Sequence, residues 1–176
     1  MAAVLWFLAS AVFVDLVGYW LHRMSHRPWS GPMFRAHMTH HVTNYPPRSV
    51  LSDRYRSSHR DSLAIWFAPF GAVYVLIVWL GLPHEWAILA GGALTAFLSS
   101  YLHDKTHIIG SFVWRVGRLK GIAVRHSTHH FKMGRNFGII VDWWDRLFRT
   151  RRLPAASLEQ RLRRHREHRP PSASDL

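Results

Sequence analysis

Hydrophobic and polar positions fall into long blocks along this chain. Met1–Leu21 (MAAVLWFLASAVFVDLVGYWL) is overwhelmingly apolar, and as a helix it would be about 31 Å long, enough to cross a bilayer core. Ser62–Leu82 is a second such block, whose Pro69 a membrane helix tolerates as a kink. Trp86–Leu102 is a third, weakened by its glycines and serines, and only the turn Gly81–Glu85 separates it from the second. The pattern predicts an all-α chain: an integral-membrane helical bundle of about three transmembrane helices, with further helices outside the bilayer.

Between the blocks the pattern shortens. The first helix is expected to continue through His26, because nothing breaks it before Pro28. Arg27–Pro32 reads as a turn, Met33–Val42 as a short helix stopped by Asn44-Tyr45-Pro46-Pro47, and Arg48–Asp61 as a polar return to the bilayer. After the third block, HDKTH (103–107) prolongs the helix, Ile108–Ile122 reads as an amphipathic connector at the membrane interface, and Ala123–Phe131 as a helix. Asn136-Phe137-Gly138 is a turn, and Val141–Phe148 an aromatic lid with Trp143 and Trp144 at the interface. Residues 1–150 are thus expected to form one membrane-embedded domain. Residues 151–176 form a basic tail, disordered or lying on the membrane surface, with a short helix at Ser157–His168.

Charge sharpens the topology. The formal net charge of +13 would fit a nucleic-acid partner, but all 23 Lys and Arg lie in 23–60 and 103–176 and none in the apolar blocks. Three crossings put both basic stretches on one side, which the positive-inside rule makes cytoplasmic, here the inner membrane of a bacterium. The charge then reads as topology and anionic-lipid contact, and nucleic acid is not an expected partner. A cleaved signal peptide is disfavoured, since the first block has no basic start and runs straight into a histidine cluster. The absence of cysteine excludes disulfides, thiolate zinc sites and cysteine-ligated iron–sulfur clusters.

Those histidines carry the candidate chemistry. Ten of the 14 fall in four clusters with a repeated order: His22 and His26; His37, His40 and His41; His103 and His107; His126, His129 and His130. Residues three and four apart share a helix face, so each cluster aims its imidazoles one way. Ten converging neutral imidazoles are what two transition-metal ions need, about five each, with a position left for a small molecule. Asp15 lies seven residues before His22 and about 10 Å deeper on the same face, a candidate support for the site or a capped interior polar group. Asp104 points about 100° from His103 and suits orienting a ligand rather than binding metal. His84 falls on the opposite membrane face, His59 reads as structural, and His165 and His168 belong to the solvated tail.

At this point the chain resembles the fatty acid hydroxylase/sterol desaturase superfamily. The residues that carry the resemblance are HRMSH (22–26), HMTHH (37–41), HDKTH (103–107), HSTHH (126–130), and NFG with WDRLF at 136–138 and 144–148. It covers roughly residues 15–150. It implies a helical membrane protein with a histidine-ligated dimetal centre at the cytosolic face, using two iron ions and O2 to hydroxylate or desaturate lipids. Zinc is a plausible substitute metal. Carried over, the ligands are the ten clustered histidines, with Asp15, Asp104, Asn136 and Asp145 as supporting candidates. At His103 two registers stay open, because in some relatives the motif begins one turn later and His107 would pair with Ser111. The size and layout match short bacterial carotenoid hydroxylases, one N-terminal helix short of larger relatives. The NFG and WDRLF ending is closer to the sterol desaturase and fatty acid hydroxylase branches.

The expected reaction follows from what an unactivated lipid C–H bond demands: an oxidant made from O2 and two electrons. The carboxylate design of soluble di-iron oxygenases is not open to this chain, whose only glutamates are Glu85, Glu159 and Glu167. No glycine pattern for a nucleotide and no flavin or haem motif is present, so electrons are expected from an external donor, a ferredoxin, cytochrome or reductase. The membrane lipid itself would arrive laterally from the bilayer. Two other classes were weighed: a zinc membrane hydrolase, which lacks its HExxH base, and a metal carrier, which lacks histidines inside the second and third spans.

Overall fold

The computed structural model describes residues 1–47, 49–56, 63–156 and 160, with side chains omitted for 63–70. Six α-helices appear in order: α1 (Ala2–Ser25), α2 (Pro32–Thr39), α3 (Leu63–Trp79), α4 (Glu85–Thr106), α5 (Gly117–Phe131) and α6 (Trp143–Leu147). Short 3-10 turns at Pro28–Ser30 and Phe112–Trp114 and one π-turn at His40–Asn44 join them. The His59 reading, the Ser157–His168 helix and the tail histidines lie outside the described residues.

α1 and α4 form the frame, running in parallel. The weak hydropathy of α4 has a physical cause: its small residues face α1. Gly91 and Gly92 are buried with Thr95 and Ser99, and a methyl at Gly91 would collide with the Phe7 carbonyl. Ser10 Oγ donates to the Ile88 carbonyl across the same seam at 2.7 Å. Small residues and a hydroxyl that finds a carbonyl are how helices approach closely without an apolar ridge. The outward faces are different: Val4, Leu8, Val12 and Phe13 on α1 and Leu94 and Phe97 on α4 are exposed.

Among the described residues one helix, α1, is long and apolar enough to cross a membrane. The expectation of three such spans is reduced to one by that measure, because α3 is described for only 17 residues and the glycines, serines and threonines of α4 lower its mean hydropathy.

One further expectation needs correction. The connector 108–122 is partly helical and partly core: Val113 and Trp114 are buried while Phe112 and Val116 are exposed, and α5 starts at Gly117 rather than Ala123. Val113 and Trp114 join Val50, Leu51, Leu102, Ile122 and Ala123 in the core under the histidines. Within the described part of the polar return, 49–56, Ser52 N donates to the His107 carbonyl and its own carbonyl accepts from Ile109 N, each at 2.9 Å.

Candidate metal centre

Each histidine cluster sits at a helix end beside the others. His22 ends α1 and His26 caps it; His37 is on α2; His103 ends α4 and His107 caps it; His126, His129 and His130 occupy the last turn and a half of α5. His40 and His41 fall on the π-turn, closed by Tyr45 N donating to the His40 carbonyl at 2.8 Å. π-turns insert one residue per turn and recur at functional sites. Here the turn divides neighbours: His41 faces His37 and His129, whereas His40 faces His103 and His107.

All ten clustered histidines are brought together, and nine of them are buried, His26 being partly open. One ligand atom from each of His22, His26, His37, His41 and His129 lies within 4.8 Å of the rest, and so do those of His40, His103, His107 and His126. His130 stands with His40 and His41, its Nε2 3.1 Å from that of His126. The second register at His103 is not the one the fold uses, for Ser111 Oγ donates to the Lys105 carbonyl. His84 caps the N-terminus of α4, about 28 Å from His103 along the helix.

The tautomers show what these groups fit. Nδ1 of His22 meets the Phe137 carbonyl at 2.7 Å, that of His129 the Arg135 carbonyl at 2.6 Å, that of His107 the Val50 carbonyl at 2.8 Å and that of His130 the Tyr45 carbonyl at 2.9 Å. A carbonyl only accepts, so each Nδ1 carries the proton and each Nε2 is left as a bare lone pair. Yet His22 Nε2 and His129 Nε2 stand 3.0 Å apart, lone pair to lone pair. The other close pairs, His26–His129, His26–His37, His37–His41 and His107–His126, span 2.9–3.0 Å. Two imidazole nitrogens bound at right angles, each about 2.1 Å from one metal ion, stand about 3.0 Å apart. Both nitrogens of His40 and the Nε2 of His103 are buried without a partner among the described residues, a cost that a metal ion removes.

Protons do not fill these gaps at neutral pH. Burial, and then the neighbouring imidazoles, hold His37, His40, His41, His107, His126 and His129 well below the ordinary imidazole range. Burial pushes His130 down to about 3. These seven rings are therefore neutral imidazoles, donors suited to iron or zinc.

The supporting candidates stand one step further out. Asp104 Oδ1 is 3.3 Å from His103 Nδ1 and can orient that ring. Asp145 touches no histidine. Its buried carboxylate accepts from Phe137 N, Gly138 N and the Thr150 hydroxyl at 2.7–2.9 Å, and so fixes the peptide whose carbonyl holds His22. Asn136, at φ 56°, supplies the left-handed turn and bonds the Arg125 and Arg152 carbonyls and the Arg152 amide. Arg151 and Arg152, placed in the tail by sequence, are tied to this body, Arg151 to Asp142 at 2.9 Å. Asp15 is not at the histidines; it accepts the Trp144 indole N–H at 2.7 Å and pins α6 to α1. Tyr45 went unnoticed in the sequence: fully buried, it stacks on His107 at 3.9 Å while its carbonyl holds His130.

A helical frame with two groups of inward imidazoles is consistent with a histidine dimetal site. Residues 7–150 match the fatty acid hydroxylase family, so the chain belongs to that family, and it is an oxidoreductase. No curated protein and no solved structure was found to match the chain.

Proposed function

We propose that this protein is an O2-dependent hydroxylase or desaturase of membrane-lipid C–H bonds, with two iron ions held by the ten clustered histidines. The observation that carries it is the facing of bare Nε2 atoms, His22 on His129 at 3.0 Å above all, within a buried shell of neutral imidazoles. His22, His26, His37, His41 and His129 would hold one ion, and His40, His103, His107, His126 and His130 the other. Bound there, the irons supply the oxidant made from O2 and two electrons. The protein's part is to fix the ring tautomers through four main-chain carbonyls, to exclude water, and to keep the site beside apolar helix faces.

Membrane embedding through α1, α3 and α4, with the histidine end cytoplasmic, is supported by the exposed apolar faces of these helices and by the basic residues gathered at that end. Electrons come from an external carrier, and the basic face suits an acidic one. The test is direct. Purified protein should hold about two metal ions per chain and, given a reductant, a redox partner and membrane lipid, should place one atom of labelled O2 in product or form a double bond. His129→Ala should lose metal and turnover, while His84→Ala keeps both. Lipid turnover that continues unchanged without O2 overturns the reading.

A further inference from the structure

A cavity of about 320 Å³ lies beside α5, between the end of α4 and the segment leading into α6. Leu102, Ile122 and Ile140 make an apolar wall. Arg118 and Arg125, two turns apart on one face of α5, line the same space.

Arg125 is the unusual member. Its Nε is buried without a hydrogen-bond partner among the described residues, while Asp142 and Asp145 favour its charge from nearby. Asp142, the one acid lining the cavity, is already held by Arg146 at 3.1 Å and Arg151 at 2.9 Å. A partly buried guanidinium with one unsatisfied N–H against an apolar wall is placed to pair with an anion that enters the cavity. A planar fork with several donors suits phosphate or carboxylate oxygens.

The surroundings favour an anion that carries a hydrocarbon. α4 bears exposed Phe97 and Tyr101, stacked at 5.7 Å, and the buried Leu102, next in the chain, forms part of the cavity wall. Trp143, also lining the cavity, is 60 % exposed. Leu102 directly precedes His103, and Arg125 directly precedes His126, so the cavity adjoins the histidine centre.

We propose that this cavity binds the anionic headgroup of a bilayer lipid, its phosphate or carboxylate held by Arg125 and Arg118 and its chains lying along the aromatic face of α4. This rests on the membrane-embedded reading above and adds the headgroup class that the centre meets first. The test uses metal-loaded protein in detergent, titrated with dihexanoylphosphatidate, dihexanoylphosphatidylcholine and inorganic phosphate, with tryptophan fluorescence as readout. The anionic lipid should bind, and Arg125→Gln should weaken it about tenfold. Arg118→Gln should weaken it about threefold, while Arg35→Gln, on α2, should change nothing. If Arg125→Gln fails to fold, the exposed Arg118→Gln carries the comparison. Equal binding by wild type and both variants overturns the proposal, as does equal affinity for phosphatidylcholine or for inorganic phosphate. Metal content measured on the same samples keeps the two readings apart. Lost lipid binding with metal retained supports the headgroup site, whereas absent metal in wild type speaks against the dimetal reading alone.

Discussion

At the scale of single residues, four main-chain carbonyls hold the rings of His22, His107, His129 and His130. Imidazoles three and four apart announce themselves in a sequence, but a main-chain carbonyl has no residue-type signature. Nothing in the sequence marks Val50, Tyr45, Arg135 and Phe137 as the groups that set four tautomers. Asp145 was visible as a candidate, and its place in the fold makes it a positioning residue acting through the Phe137 peptide. Asp145→Asn keeps the shape but turns an amide N–H₂ toward one of three donors. It should lower metal content and alter the metal's absorption spectrum with the helical content unchanged. An unaltered spectrum and full loading would remove Asp145 from that role. The lowered imidazole pKa values add a pH dependence of known sign. Below the ordinary value of 6.5 the unfolded chain binds protons that the folded site refuses, so stability present above pH 6.5 is lost as pH falls toward about 3. Protons and metal compete for the same lone pairs, which pushes metal retention the same way. Melting temperature and bound metal should both fall between pH 7 and 5; flat profiles would contradict the buried neutral shell.

At the scale of elements, the boundaries that moved are those where packing or hydrogen bonding overrode local pattern. α5 begins six residues earlier than its periodicity suggests because Val113 and Trp114 turn inward and seat its first turn on the core. The short second helix does not run on regularly through Val42. It converts to a π-turn at His40, which no composition rule marks, and the extra residue carries Tyr45 under His107 and His130. Removing exposed Val42 should restore ordinary helical spacing and withdraw Tyr45 from both rings. The expected result is loss of about one of two metal ions, from the group containing His107 and His130, with His22 and His129 still held by the 135–137 loop. Loss of both ions, or of neither, would show that the π-turn does not separate the two groups.

At the scale of the whole molecule, the chain's charge asymmetry and its helix pairing constrain one another. α1 passes the test of length and composition for a span, and α4 lies along it in the same direction, Ile88 beside Ser10 and His103 level with His22. On the membrane reading proposed above, a bilayer that took α1 would take α4 with it, although α4 alone is too rich in small residues to announce it. That is why the third apolar block reads as weak: Gly91, Gly92, Thr95 and Ser99 lower its hydropathy and are buried in the fold. α3 joins α4 through a short turn at Gly81, φ 62°, and must run the opposite way. The turn then lies on the face opposite the histidines, where Lys and Arg are absent from 61–102. Because the chain has no native cysteine, single cysteines report position without background. Leu82→Cys should react with a membrane-impermeant maleimide added outside intact cells, and Arg35→Cys only after the membrane is opened. Both sites sit on exposed or loop positions that the fold does not depend on, so labelling reads topology rather than damage. Reaction of both from the same side would break the three-crossing arrangement and, with it, the placement of the basic face toward a cytoplasmic electron donor.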